Sequence, residues 1–323
     1  MGGELSTEAR IRVEAMQEQV QEPAKQQVER RRLDLDSTAL SCLPSAVIDL
    51  CASGHIAELS LRHNMIKSLP DELGALGQLR SLSLDGNRLQ QLPSGLAAAT
   101  SLQHLGLESN ALRGEALPAA LMLLPRLETL LLGANELDAL PATFAALTSL
   151  TRLDLHANKL ATLPCYFGAE PSSEHLLQLD LSGNRLQALP DEFGLRLPRL
   201  RRLQLSHNAL SVLPDTAMLM LELRELALDN NKLERLPFAF GQLARLRVLE
   251  LSNNALNELP DSIGQCKRLR ELRLDGNALT MLPEDIGALT KLRVLWLFGN
   301  KELHEMPSAF ERLRVQELWL RDD

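Results

Sequence analysis

Aromatic side chains are rare in this 323-residue chain, at 3% of the sequence. A core with so few rings must be packed by aliphatic residues, so the position of each ring carries information. Cysteine is also scarce. Cys42, Cys51, Cys165 and Cys266 form no C-x-x-C pair, which argues against a zinc site, and terminal cysteine clusters are missing. Cys266 falls where equivalent segments carry leucine, and it reads as a small core residue. No run of about 18 apolar residues is present, so no segment reads as a membrane span. The start MGGELSTEAR lacks the apolar centre of a secretory signal, and the chain is read as cytoplasmic. Excess positive charge is absent too. A formal net charge of −8 disfavours a nucleic-acid partner, which would need a basic stripe.

What is present is leucine, and an asparagine that recurs. Asn64, Asn87, Asn110, Asn135, Asn158, Asn184, Asn208, Asn231, Asn254, Asn277 and Asn300 follow one another at steps of 23 to 26 residues. Most belong to the phrase L-x-x-L-x-L-x-x-N-x-L, as in LRSLSLDGNRL (79–89) and LRELALDNNKL (223–233), with isoleucine for the outer leucines around Asn64 and Glu302 for the last leucine after Asn300. A period in the twenties with this phrase is the signature of a leucine-rich repeat. The expected fold is an α/β solenoid, a horseshoe with a parallel concave sheet of about twelve short strands and an N-terminal helical cap. Such a surface suits binding better than catalysis.

One repeat shows the logic. In IAELSLRHNMIKSLPDELGALGQ (56–78), Leu59 and Leu61 alternate with Glu58, Ser60 and Arg62, as in a strand with one buried face. Asn64 then turns the chain. Its amide both donates and accepts, so it can satisfy backbone groups that a sharp buried turn leaves unpaired. Leu69 and Pro70 follow, and proline excludes a strand on the return path. The DELGAL segment (71–76) suits one helical turn. Insertions fall near 113–116, in GAEPSSEH (168–175) and after Phe193; all map to loops, with 168–175 expected to protrude.

The organisation reads as a helical arm over 1–31 and a repeat solenoid over 32–323. Residues 7–31 suit a helix with Ile11, Met16 and Val20 on one face, interrupted near Pro23 and capping a degenerate first repeat in which Thr38 stands for asparagine. The first residues fit the M-G-x-x-x-[ST] pattern for a myristoyl group on Gly2, against the plain reading of an ordinary N-terminus. Without a following polybasic run, membrane association would be peripheral at most.

The exposed face of the sheet is where chemistry should lie. Its central column is small and polar at first and passes through Glu250 and Arg273. It then becomes aromatic at Trp296 and Trp319, with Val294 and Phe298 beside them. Clustered exposed apolar residues mark contacts, and tryptophan is a favoured anchor. These six residues are the candidate protein-binding site; the competing reading is that the two tryptophans seal the end of the stack. Phe144, Phe167, Phe193, Phe240 and Phe310 share one core position. A second column, Arg201, Arg224, Arg247, Arg270 and Arg293, should be offset by Glu225, Glu250 and Glu271, or else attract an anionic peptide. His63, His104, His156 and His207 face no nucleophile by spacing. No cofactor, metal site or catalytic set is expected.

The run LPDSIGQCKRLRELRLDGNALTMLPEDIGALTKLRVLWL (259–297) resembles the Ras-group leucine-rich repeats: Ras-suppressor, Scribble and Erbin-like intracellular proteins. That resemblance implies a non-enzymatic scaffold or adaptor in signal transduction, holding a signalling protein such as a small GTPase or phosphatase on the concave face. A second reading is a dedicated regulatory or inhibitory subunit of one such enzyme.

Overall fold

The computed structural model describes residues 7–21, 32–114, 117, 121, 124–141, 144, 147–165, 167, 174–195 and 197–320. The chain resolves into two compact units, Met1–Lys159 and Leu160–Asp323.

The first unit starts with helix α1 (Thr7–Gln21) and strand β1 (Arg32–Asp34), followed by helix α2 (Ser45–Ala52). Strands β2 (Glu58–Ser60), β3 (Ser81–Ser83), β4 (His104–Gly106), β5 (Thr129–Leu131) and β6 (Arg152–Asp154) complete it. Neighbours pair in parallel in chain order, with Leu33, Leu59, Leu82, Leu105, Leu130 and Leu153 in register. Helix α1 buries Ala9 and Val13, and Arg12 Nη1 donates to the Asp34 carbonyl at 3.1 Å. Ile11, expected on that inner face, is instead 58% exposed. The helix turns a narrower, smaller-residue stripe toward β1. Pro23 and the arm's last residues, 22–31, lie outside the described residues, as does Gly2.

The second unit contains β7 (Gln178–Asp180), β8 (Arg202–Gln204), β9 (Glu225–Ala227), β10 (Val248–Glu250), β11 (Glu271–Arg273), β12 (Val294–Trp296) and β13 (Glu317–Trp319). Again every described neighbour pair is parallel, with Leu203, Leu226, Leu249, Leu272, Leu295 and Leu318 aligned. The described strands number thirteen. The degenerate first repeat forms a full strand, which adds one to the expected twelve.

Within each unit the asparagines do what their chemistry allows. Asn231 Oδ1 accepts from the Leu210 N–H at 3.0 Å, while its Nδ2 donates to the carbonyls of Leu205 and Leu228 at 2.9 and 3.0 Å. One amide thus fastens its own turn and the turn of the repeat before it. Asn87 repeats the pattern in the first unit with Ile66, Leu61 and Leu84. Thr38 keeps part of it, its hydroxyl donating to the Leu35 carbonyl at 2.8 Å. The residue before each asparagine adopts the left-handed conformation, which explains Gly86, Gly183, Gly276, Asn230 and Asn253 there. Ala134 and Ala157 hold the same conformation, at φ of 50° and 49°.

The return path runs through short 3₁₀ turns such as Asp71–Ala75, Asp215–Leu219, Asp261–Gln265 and Glu284–Ala288, each preceded by its proline. In the first repeat α2 takes this role and buries Val47, Leu50 and Cys51. Phe144, Phe167, Phe193 and Phe240 occupy the expected core position. Phe310 does not fully: it is half-buried, because only the preceding repeat packs on it among the described residues. Of the insertions, 115–116 and 168–173 lie outside the described residues. The one after Phe193 places Gly194 at φ +101° inside the turn.

Candidate functional site

Strand alternation sends Leu249, Leu272 and Leu295 inward and turns Glu250, Arg273 and Trp296 to the open face. Parallel pairing then sets Glu250 beside Arg273, Arg273 beside Trp296, and Trp296 beside Trp319. The expected adjacency of the aromatic residues is what the register produces.

The rings meet. Trp296 and Trp319 lie edge to face, with centroids 6.4 Å apart and planes at 65°. Phe298 sits 6.2 Å from Trp296. These are favoured geometries for aromatic quadrupoles. On the other side the Arg273 guanidinium lies 4.6 Å from the centroid of the Trp296 ring, a cation–π contact. Val294, Trp296 and Phe298 are half-buried, whereas Trp319 is 53% exposed.

Polar groups fix this cluster. Glu317 Oε1 accepts from the indole N–H of both Trp296 and Trp319, each at 3.0 Å. Arg273 Nη1 donates to Glu250 Oε1 at 2.7 Å, and its Nη2 lies 3.6 Å from Glu271 Oε2. Burial pushes the Glu250 carboxyl above its usual range. Arg273 pulls it back, while Asp229, Glu271 and Glu225 push it up again. Arg273 Nε is buried without a hydrogen-bond partner, a cost of seating the cation against the ring. Glu317 was not singled out in the sequence. Two adjacent indole N–H donors were the available signal, because each can share a carboxylate placed between them.

The arginine column behaves differently from expectation. Arg201, Arg224, Arg247, Arg270 and Arg293 do align, each N–H donating to the carbonyl of the one before. Their side chains are not offset by the interleaved glutamates. Glu225 pairs with Arg202, and Glu250 and Glu271 pair with Arg273, because those cations sit on the same face of the sheet. The column therefore presents a row of guanidiniums with no carboxylate within ion-pair distance among the described residues.

The remaining candidates are dispersed. His156 Nδ1 bonds Asp154 at 2.7 Å on the first unit's open face, and its Nε2 lies 3.7 Å from Glu108. Among the described residues no group of three His, Cys, Asp or Glu residues could hold a metal ion, and no helix is long and apolar enough to cross a membrane. Cys266 is buried as expected, and burial raises its thiol to about 12.

Stacked three-residue strands, an asparagine ladder and a broad open face define a repeat protein of the kind that commonly mediates protein–protein interaction. The chain belongs to the leucine-rich-repeat family: family models match as "leucine-rich repeat region" over 218–320 and "leucine rich repeat" over 54–112 and 174–233. It is similar to the structure of a leucine-rich-repeat protein of Leptospira interrogans, at 32% identity and a TM-score of 0.73, over 89% of this chain and 78% of that one. It is also similar to the plant peptide hormone receptor RGFR1 in complex with RGF2, at 26% identity and a TM-score of 0.74, over 90% of this chain but 47% of the receptor chain. The functional domain of InlJ from Listeria monocytogenes shares the fold at 22% identity and a TM-score of 0.72, over 90% of this chain and 62% of that domain. A search of curated proteins finds no match.

Proposed function

We propose that this chain is a non-enzymatic interaction module whose partner binds the aromatic part of the second unit's open face. The observation that carries the reading is the contact cluster of Trp296, Phe298 and Trp319, in a chain where rings make up 3% of residues. Trp296 is held by Arg273 and Glu317, so little side-chain freedom is lost when a partner lands on it. Trp319 offers the exposed surface, and Val294 widens it. Sealing the stack is the weaker account, because the rings leave Leu318 and Leu320 each 41% exposed. The row from Arg201 to Arg293 favours a partner with acidic or phosphorylated side chains at its edge.

The finer reading is a cytoplasmic adaptor of the Ras-group type, holding a signalling protein such as a small GTPase or phosphatase. Four free cysteines fit a reducing compartment. A myristoyl group on Gly2 would add weak, reversible membrane contact. The plant receptor, similar in fold and bound to RGF2, gives a precedent for protein recognition on this architecture. The test is affinity purification with mass spectrometry, comparing the wild type with a Trp296→Ala, Trp319→Ala double variant. The expected result is one or more protein partners that disappear with the double variant. An unchanged partner list would contradict the site.

A further inference from the structure

Phe238 is 85% exposed, more than any other large hydrophobic residue described. It follows Leu236 and Pro237, at the register position that carries Asp71, Ser94, Asp191, Asp215, Asp261, Glu284 and Ser308 in most other repeats and the small Ala142 and Cys165 in two more. Polar residues suit that position because it opens the 3₁₀ turn at the surface. A phenylalanine there gains nothing for the core, which Phe240 already fills. Its backbone is nonetheless held, the Ser262 hydroxyl donating to the Phe238 carbonyl at 2.6 Å. A fixed backbone with a bare ring is a feature of binding surfaces.

The ring stands in a groove of about 740 Å³ along successive Leu-Pro turns of the second unit, with half-exposed Val212 beside it. A further hollow of about 550 Å³ shares Ala188, Leu189 and Asp191 and carries the groove on to Leu163. An elongated trough across several repeats fits an extended segment better than a compact small molecule. Its rim is acidic: Asp191, Asp215, Glu258 and Asp261 line it against one cation, Arg235. None of these carboxylates has an ion-pair partner among the described residues.

We infer that this groove is a second docking surface, separate from the aromatic site on the sheet, which takes an extended basic segment of a partner protein. Phe238 is its anchor, stacking under an arginine or packing an aliphatic side chain, and the four carboxylates select positive charge. An acidic segment would meet like charge from these four carboxylates.

The test uses the full chain and a fluorescein-labelled peptide of alternating arginine and leucine, with a glutamate–leucine counterpart, read by fluorescence anisotropy. Saturable binding of the basic peptide that weakens as salt rises is expected. Phe238→Asp installs the residue of four sister repeats, Asp71, Asp191, Asp215 and Asp261, so the unfolding midpoint should hold while affinity falls by about tenfold or more. That change adds negative charge, so non-specific attraction would tighten binding instead, and the two explanations separate by sign. Asp215→Asn with Asp261→Asn should flatten the salt dependence, and Trp319→Ala should leave affinity unaltered. The proposal is overturned by no saturable binding up to about 100 µM, by equal binding of the acidic peptide, or by a Phe238→Asp affinity within about twofold of wild type. It is also overturned if sedimentation shows the protein alone associating through Phe238, which would assign the groove to a second copy.

Discussion

Replacing Asn231 with alanine leaves the Leu210 N–H without its partner and takes one of two amide donors from the carbonyls of Leu205 and Leu228, which keep Asn208 and Asn254. The site is buried, so water cannot simply take the amide's place. One buried unsatisfied N–H costs about 1–3 kcal/mol and the two weakened carbonyls add to it, so the substitution should cost about 2–4 kcal/mol. Asn208 makes the equivalent bonds to Leu186, Leu181 and Leu205 but is only partly buried. Solvent can replace part of its role, and Asn208→Ala should cost less, about 1–3 kcal/mol. Urea unfolding followed by circular dichroism measures both, read as midpoint shifts at constant slope. Hydrogen exchange adds a local readout, with the Leu210 amide losing protection in Asn231→Ala. A cost below about 0.5 kcal/mol for Asn231→Ala, the usual size of a surface effect, would refute the ladder as a source of stability.

Other outcomes follow from single positions. Ala134→Gly should stabilise by about 0.5–1 kcal/mol, because relief of the left-handed cost outweighs glycine's added chain entropy; thermal melts check it. Gly287→Ala should destabilise by about 1–3 kcal/mol, since a Cβ there would lie 2.4 Å from the Ala309 carbonyl oxygen, and the same melts report it. Burial raises the Cys51 and Cys266 thiols to about 12, so at neutral pH a thiol reagent should modify exposed Cys165 and leave both buried ones intact. Their folded-state values lie above the unfolded value of 9.0, so the associated stability is complete below pH 9 and falls as pH rises toward 12. Intact-mass measurement of protein made in a eukaryotic host decides whether Gly2 is myristoylated; an unmodified mass refutes it.

Much of this architecture was legible because leucine and asparagine each have one task per repeat. Leu226 and Leu249 had to point inward together, so Glu250 and Arg273 had to point outward together. What stayed hidden depended on side-chain reach or on context. Glu225, Glu250 and Glu271 chose Arg202 and Arg273 over the neighbouring arginine column, which strand order alone does not reveal. Helix α1 turned Ala9 and Val13 inward where Ile11 looked the better core residue. Phe238 went unmarked because LPFAF offers two phenylalanines and the core needs one. Comparison with Asp215 and Asp261 at its register would have set it apart.

The aromatic face is tested most directly by measuring affinity and stability together on Trp319→Ala and Trp296→Ala, using the partner recovered by purification. As a binding site, each change should weaken the partner by about 2 kcal/mol or more, as anchors do. The unfolding midpoint should move little, because Leu295 and the rest of the leucine core are untouched. Loss of stability with affinity within about 0.5 kcal/mol of wild type would contradict the account and make the tryptophans a structural seal.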